Sequence, residues 1–157
     1  MEIVKLPKMT ENEIEKALSE GNICRIAFLD GDFPYICPFQ YIYMDSLLYF
    51  HFTDYGKKKE ILNINKNVCV SIENFEKDLS QYYFVSIQGT LSEVTDRNEQ
   101  KKVIKKMVEN IKHKFSANFL SVHGFNKDDG WNIFFKESSM TLYSLDDIHY
   151  KIGLKSL

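Results

Sequence analysis

The segment LLYFHFTDYGKKKEIL, residues 47–62, decides the fold because it joins a β-strand to a helix through a glycine turn. Its first seven residues alternate in character. Phe50 and Phe52 share one face of the strand, whereas the polar side chains of His51 and Thr53 share the other. The segment therefore predicts a strand with its apolar face in a core and with a His and a Thr together near its end.

The start of the following helix is predicted to bind an anion. Gly56 permits a tight turn, and Lys57, Lys58 and Lys59 follow in the first helical turn. Three cations at the partially positive end of a helix are unfavourable unless an anion lies there. A phosphate ester would accept backbone N–H groups, the Thr53 hydroxyl and lysine ammonium groups. The alternative, from the same residues, is a solvated run of surface lysines.

The rest of the chain predicts a mainly β fold, a β-barrel with flanking helices packed outside it. Turn signals occur at Asp30-Gly31-Asp32 and at Asp45-Ser46, and Gly89 predicts a bulge or a close backbone approach. Pro38 belongs at a strand edge or a bulge because proline lacks an N–H group. About seven strands are predicted, at residues 23–29, 35–44, 47–53, 68–74, 82–94, 131–135 and 140–145.

Besides the short helix that begins near Gly56 and runs to about Asn63, two longer helices accompany the strands in a single predicted domain, residues 1–157. The first runs over about residues 10–20, with Thr10 and Glu13 as a capping box and Gly21 as the stop. The second, over about residues 97–115, is inserted in a barrel that spans about residues 23–146. Its predicted apolar face contains Ile104, Met107, Val108, Ile111 and Phe115.

Composition limits the classes of function. The net charge of −2 gives no global field to attract nucleic acid. No apolar run is long enough to span a bilayer, and the N-terminal segment has no hydrophobic targeting core. Cys24, Cys37 and Cys69 have no CxxC spacing and are interpreted as free thiols of a cytoplasmic protein.

The sequence predicts no metal site. The loop that carries His123, Asp128 and Asp129 has no recognised ligand spacing and is interpreted as solvated. Cys69 has no base at a suggestive spacing and is interpreted as a buried structural thiol.

Six motifs occur in a distinctive order over about residues 20–153: CRIAF, PYICPFQY, LYFHFTDYGKK, NKNVCVSIE, FVSIQGTLSEV and LYSLDDIHYKIG. Together they resemble the pyridoxamine 5′-phosphate oxidase-like, FMN-binding split-barrel superfamily. Within that superfamily the resemblance is closest to the Nim group of nitroimidazole-resistance-type flavoproteins. The C-terminal HYKIGLKSL lacks the basic substrate-binding pattern of the pyridoxamine 5′-phosphate oxidases themselves, so vitamin B6 oxidation is not expected.

The resemblance implies a six-stranded split barrel that forms a homodimer, with FMN in a groove at the subunit interface. Lys57 and Lys58 match the pair that binds the phosphate, with Thr53 beside it, while Lys59 is interpreted as a solvated bystander. The strand at residues 38–41 would run along the isoalloxazine ring, with His51 near the flavin. The implied cofactor-binding residues are Pro38, Phe39, Gln40, Tyr41, His51, Phe52, Thr53, Lys57 and Lys58.

The leading hypothesis is an FMN-dependent oxidoreductase that reduces a small electrophile such as a nitroaromatic, with His51 as proton donor or substrate contact. Trp131 and Tyr143 are candidate pocket residues donated by the partner subunit. A second hypothesis is a non-enzymatic flavin or haem binder of the same fold, used for storage, sensing or electron transfer. A third is a β-barrel interaction domain without a cofactor.

Overall fold

A computed structural model of the protein describes residues 5–114 and 140–156. Within those residues the chain forms three helices and seven strands. The predicted strand at 131–135, Trp131 and the loop with His123, Asp128 and Asp129 lie outside the described residues. The elements in chain order are α1 (Glu11–Glu20), β1 (Ile23–Asp30), β2 (Phe33–Gln40), β3 (Ile42–Met44), β4 (Leu47–Thr53), α2 (Lys57–Ile64), β5 (Asn67–Phe75), β6 (Tyr82–Glu93), α3 (Arg97–Lys114) and β7 (Met140–Lys155).

The strands form one curled antiparallel sheet in the order β2-β1-β5-β6-β7-β4-β3. Its two edges come from one piece of chain, because β2 and β3 are separated only by Tyr41. The first half of that piece pairs with β1 and the second half with β4. The predicted strand at 35–44 is therefore two strands. Seven strands occur within the described residues, where the family resemblance implied six. The mainly β, split-barrel fold is confirmed.

β2 is an edge strand, and its composition explains why. Pro38 lies opposite Arg25 of β1, and Pro34 lies opposite Leu29. A proline cannot donate to a ladder, so it is tolerated where the missing N–H faces away from a neighbouring strand. The prediction that Pro38 lies at an edge or a bulge is confirmed.

The predicted turns and the predicted bulge are present. Gly31 has φ 61°, and Asp45 and Ser46 have φ 52° and 62°, which suits tight hairpin turns between twisted strands. The β6–β7 register shifts around Gly89. A Cβ at Gly89 would lie 2.7 Å from the carbonyl oxygen of Asp146, so the strands approach closely only because this residue has no side chain.

Helix α1 begins and ends for two different reasons. The predicted capping box is present, since Thr10 Oγ1 accepts from Glu13 N–H and the Glu13 carboxylate accepts from Thr10 N–H. At the other end, Gly21 has φ −73°, a conformation open to any residue. Glycine is required there for space, because a Cβ would lie 2.1 Å from the Tyr41 hydroxyl oxygen. That hydroxyl donates to the Leu18 carbonyl at 3.0 Å.

Helix α3 packs on β3 and on Tyr49 of β4. Of its predicted apolar face, Met107 and Val108 are buried and Ile104 is half-buried, and Val103 is buried as well. Tyr49 of β4 packs in this cluster and is only 3% exposed. The predicted face residues Ile111 and Phe115 fall outside the residues whose side chains are described.

The last strand is longer than predicted. β7 continues to Lys155, beyond residue 146 where the barrel was expected to end. Its extension holds α1, because the Lys155 ammonium group pairs with Glu13 and, as the largest cause, lowers the pKa of that carboxyl to about 2. Among the helices of residues 5–114 and 140–156, none combines the length and apolar character needed to cross a membrane.

Candidate functional site

A groove of about 380 Å³ lies between β2 and β4, which are not neighbours in the sheet. It lies where the part of β4 beyond its pairing with β3 faces the edge strand β2. Seven of the nine residues predicted to bind the cofactor line it, together with Ile23: Pro38, Phe39, Gln40, His51, Phe52, Thr53 and Lys58.

The base of the groove is aromatic and closely packed. The rings of Phe39 and Phe52 have centroids 4.7 Å apart and are tilted by 38°. Behind them, Tyr143 packs edge-on against Phe52 at 4.9 Å, and Phe28 does so at 6.3 Å. Phe39 is 9% exposed and Phe52 is 2% exposed, so both are fixed by the core. The groove therefore has a rigid aromatic base, whose small exposed surface comes mainly from Phe39.

The opposite end of the groove is polar. β4 ends at Thr53, whose hydroxyl donates to the Tyr55 carbonyl at 3.1 Å. Gly56, with φ 86°, then turns the chain into α2, which has no side-chain cap. The first intrahelical bond of α2 is from Glu60 N–H to the Gly56 carbonyl, so the N–H groups of residues 57–59 precede the helical ladder. This end has the donors that an anion requires.

The three lysines of α2 point in three directions. Lys57 Nζ lies 2.6 Å from Asp30 Oδ2 at the end of β1, and this contact is the main cause that raises the lysine pKa. Lys58 lines the groove, with its ammonium group 5.4 Å from the centroid of the Phe39 ring. Burial raises the pKa of the nearby Cys37 thiol, and the charge of Lys58 opposes that rise. Of the three lysines, Lys58 is thus the one that lines the groove.

The interpretation of Lys59 as a solvated bystander is wrong. Its side chain is only 22% exposed, and its ammonium group lies 3.0 Å from Asp54 Oδ1 and 3.4 Å from the Tyr143 hydroxyl oxygen. These hydrogen bonds raise its pKa, with Asp54 as the larger cause. The strand β7, which pairs with β4, brings Tyr143 beneath α2, and this long-range contact has no local sequence signal.

His51 lies in the wall of the groove beside Thr53 and is half-buried. It pairs in register with Leu142 of β7, on the face of β4 that also carries Tyr49. The predicted sharing of one strand face by His51 and Thr53 therefore brings both to the same groove.

Three other predicted residues lie elsewhere. The Tyr41 hydroxyl donates to the Leu18 carbonyl of α1, and Lys57 turns to Asp30, so neither residue lines the groove. Tyr143 is 3% exposed and packs on Phe52 of its own chain, so its assignment as a residue donated across an interface is wrong. Ile23 was missed, although its position opposite Gln40 in the β1–β2 ladder follows from the hairpin register.

A larger groove of about 520 Å³ lies on the outer face of the sheet. The residues that line it include no Lys or Arg: Ala27, Phe28, Leu29, Pro34, Asn67, Val68, Cys69, Gln88, Gly89, Thr90, Asp147 and His149. It lacks the lysine and the helix start that favour a phosphate. Across the described ranges, no group of three or more His, Cys, Asp or Glu side chains is arranged to hold a metal ion.

Comparison with known proteins gives one family. A family model described as pyridoxamine 5′-phosphate oxidase matches residues 10–124. A search of curated proteins finds no match.

Several solved structures resemble the chain over most of its length. An FAD-binding protein from Mesorhizobium loti has a TM-score of 0.68 at 17% identity, covering 96% of each chain. A protein from Bacteroides thetaiotaomicron, described as a candidate 5-nitroimidazole antibiotic resistance protein, has a TM-score of 0.66 at 19% identity, covering 96% of this chain and 87% of that one. HutZ, a haem storage protein from Vibrio cholerae, has a TM-score of 0.64 at 16% identity, covering 92% and 94%. At these identities the likeness supports the fold alone.

Proposed function

The chain belongs to the pyridoxamine 5′-phosphate oxidase family, and we propose that it binds flavin mononucleotide in the groove between β2 and β4. One observation carries the proposal. A single groove joins a rigid aromatic base, formed by Phe39 and Phe52, to an anion-binding end formed by Thr53, Lys58 and the start of α2. A flat ring system linked to a phosphate group has the same two parts.

The residues of the groove fit this ligand in chemistry. Lys58 and the first N–H groups of α2 would hold the phosphate. The Thr53 hydroxyl would join them by turning its hydrogen away from the Tyr55 carbonyl. The Gln40 side chain has both a donor and an acceptor and would bind the polar edge of the ring system. Pro38, Phe39 and the strand β2 would set the plane of the ring.

We propose further that the protein is an oxidoreductase that reduces a small electrophile, such as a nitroaromatic compound. A bound flavin supplies the electron chemistry, whereas the protein supplies binding, orientation and a proton. His51 is the candidate proton donor because it lies in the groove wall, half-buried, beside Thr53. The three cysteines are free, and this fits a location in the reducing cytoplasm.

Absorption spectroscopy of the protein, purified without added cofactor, tests the binding proposal. Flavin bands at about one equivalent per chain are the expected result. A haem spectrum would replace the proposal with the function described for HutZ. A protein that stays colourless and binds no added FMN would leave an interaction domain as the function.

Replacing His51 with alanine is expected to leave FMN bound and to slow reduction of a nitroaromatic about 100-fold or more, because a positioned proton donor contributes about 10²–10⁴-fold. Turnover and FMN titration of the same preparation check this. Glutamine at position 51 keeps a hydrogen-bond donor but has no proton to transfer, so a recovered rate would make His51 a substrate contact rather than the proton donor. Unchanged turnover in both variants would exclude His51 from the mechanism.

We also propose a homodimer with the flavin groove at its interface. The outer face of the sheet carries one row of residues in register across five strands: Ile36, Ala27, Cys69, Gln88 and Tyr150. Ile36 is 59% exposed and Tyr150 is 47% exposed, so large apolar side chains lie at both ends of the row. Ile23 extends the same face to the groove itself.

Replacing Ile36 with glutamate is expected to raise the dimer dissociation constant about tenfold, because a carboxylate would enter the apolar part of the interface. Analytical ultracentrifugation over a dilution series measures this. Ile64, which is 89% exposed at the end of α2, is the matched control, and its replacement with glutamate should leave the constant unchanged. Equal effects at the two positions would exclude this face as the interface.

A further inference from the structure

We propose that Lys59 is a positioning residue for the phosphate of the bound flavin. Its ammonium group does not line the groove but ties the turn between β4 and α2 to Tyr143 of the core. This contact keeps Lys58 and the first N–H groups of α2 directed at the ligand. The inference rests on the proposed flavin function and assigns a role to a side chain that does not touch the flavin.

The turn at the phosphate end of the groove is not held by burial. Residues 53–57 are exposed, and Gly56 supplies no side chain. The buried residues of α2, Ile61 and Leu62, lie in the second half of the helix. The hydrogen bond from the Thr53 hydroxyl to the Tyr55 carbonyl stays within the turn. The position of the first helical turn therefore depends on polar side-chain contacts to other elements.

Lys59 makes such contacts on both sides of its ammonium group. Its Nζ lies 3.0 Å from Asp54 Oδ1 and 3.4 Å from the Tyr143 hydroxyl oxygen. Because Asp54 precedes Gly56 and Lys59 follows it, the first contact joins the two ends of the turn. The Lys59 side chain is 22% exposed, against 50% for Lys57, so water competes less for its hydrogen bonds.

Tyr143 is a fixed anchor for this contact. In the sheet it pairs with Phe50 of β4 on one side and with Glu93 of β6 on the other. It is 3% exposed, and its ring packs edge-on against Phe52 at 4.9 Å. Close packing of this kind leaves the hydroxyl little freedom to move. Because Phe52 belongs to the base of the groove, the bond from Lys59 fixes the phosphate end relative to the ring end.

This fixed geometry contributes to affinity through pre-organisation. A loop that must be ordered during binding costs free energy, whereas a loop already held in place does not. Lys58 and the N–H groups of residues 57–59 belong to the same helical turn as Lys59, so a displaced turn would move all of these donors together. Riboflavin has no phosphate and does not use them. Loss of the Lys59 contact should therefore weaken FMN binding and leave riboflavin binding unchanged.

Titration of FMN and riboflavin into four variants, followed by flavin fluorescence, tests this. Lys59→Met removes the ammonium group and keeps an aliphatic chain. Tyr143→Phe removes only the hydroxyl and changes no charge, and the third variant combines the two substitutions. Tyr49→Phe is the matched control, because Tyr49 is also 3% exposed and its hydroxyl donates at 2.8 Å to Glu99 of α3, away from α2.

We expect Lys59→Met to raise the dissociation constant for FMN about five- to tenfold and Tyr143→Phe to raise it about threefold, the range of single hydrogen bonds. The double variant should lose less FMN affinity than the product of the two single losses, since both substitutions break one contact. The dissociation constant for riboflavin should stay within about twofold in all variants. Tyr49→Phe should bind both ligands as the wild-type protein does.

Three results would overturn the role of Lys59. Loss of FMN affinity in Lys59→Met with none in Tyr143→Phe, or losses that multiply in the double variant, would mean that Lys59 acts on the phosphate directly. Equal losses of FMN and riboflavin affinity would mean that the contact acts on the ring site or on folding. In each case FMN binding by the wild-type protein leaves the flavin function standing. If the wild-type protein binds neither ligand, both proposals fail.

Discussion

Replacing Lys58 with alanine is expected to raise the dissociation constant for FMN about 30- to 100-fold and to leave that for riboflavin within about twofold. Lys58 is the lysine in the groove wall, and a charge-assisted hydrogen bond to a phosphate contributes about 2–3 kcal/mol. Riboflavin lacks the phosphate, so it reports any indirect effect on the ring site. Fluorescence titration with both ligands measures the difference.

Lys57→Ala is the matched control for Lys58→Ala. It removes the same charge from the adjacent residue, but Lys57 is bound to Asp30 on an exposed surface. We expect an FMN effect of about two- to fivefold, since exposed ion pairs contribute little. Equal losses in the two variants would mean that Lys57 leaves Asp30 for the phosphate. Equal losses of FMN and riboflavin affinity in Lys58→Ala would mean that Lys58 acts through folding.

Replacing Gly21 with alanine is expected to lower the free energy of unfolding by about 2–3 kcal/mol. The backbone at Gly21 suits alanine, so the cost comes from overpacking. The new Cβ would lie 2.1 Å from the Tyr41 hydroxyl oxygen and 3.2 Å from the ring carbon that bears it. Tyr41 is 2% exposed and bonded to Leu18, so it has little room to move. Urea denaturation measures the loss.

A double-mutant cycle with Tyr41→Phe identifies the cause. Tyr41→Phe alone should cost about 1 kcal/mol through the lost hydrogen bond to the Leu18 carbonyl. In the double variant the hydroxyl that clashes is absent. The loss of unfolding free energy in the double variant should therefore be about 1–2 kcal/mol smaller than the sum of the two single losses. Additive losses would show that Gly21 is required for a reason other than the hydroxyl. FMN affinity in Tyr41→Phe should be unchanged, because that side chain lies outside the groove.

Much of the fold could be predicted from local patterns. The alternation in β4 assigned Phe50 and Phe52 to the core, and the capping box of Thr10 and Glu13 located α1. The turn at Asp45-Ser46 was also predictable, because short polar residues tolerate positive φ. The break at Tyr41 was not, because it arises where one segment pairs with β1 on one side and β4 on the other.

The site was predictable in outline and not in detail. The parity of β4 predicted that His51 and Thr53 share a face, and both line the groove. The three lysines are identical in sequence, so their directions depend on partners far along the chain. Asp30 precedes Lys57 by 27 positions, and Tyr143 follows Lys59 by 84 positions. Such pairings come from the sheet order, which local patterns do not contain.

The two prolines of β2 have a consequence for how the protein behaves in a crowded solution. An exposed sheet edge is a template on which another chain can add a strand and begin aggregation. Pro34, Ile36 and Pro38 are successive residues on one side of the edge strand, and two of these three are prolines. Both remove a donor that an incoming strand would need. We infer that Pro34 and Pro38 protect this edge from intermolecular strand addition, so the protein can leave the β2 edge uncovered without becoming prone to fibre formation.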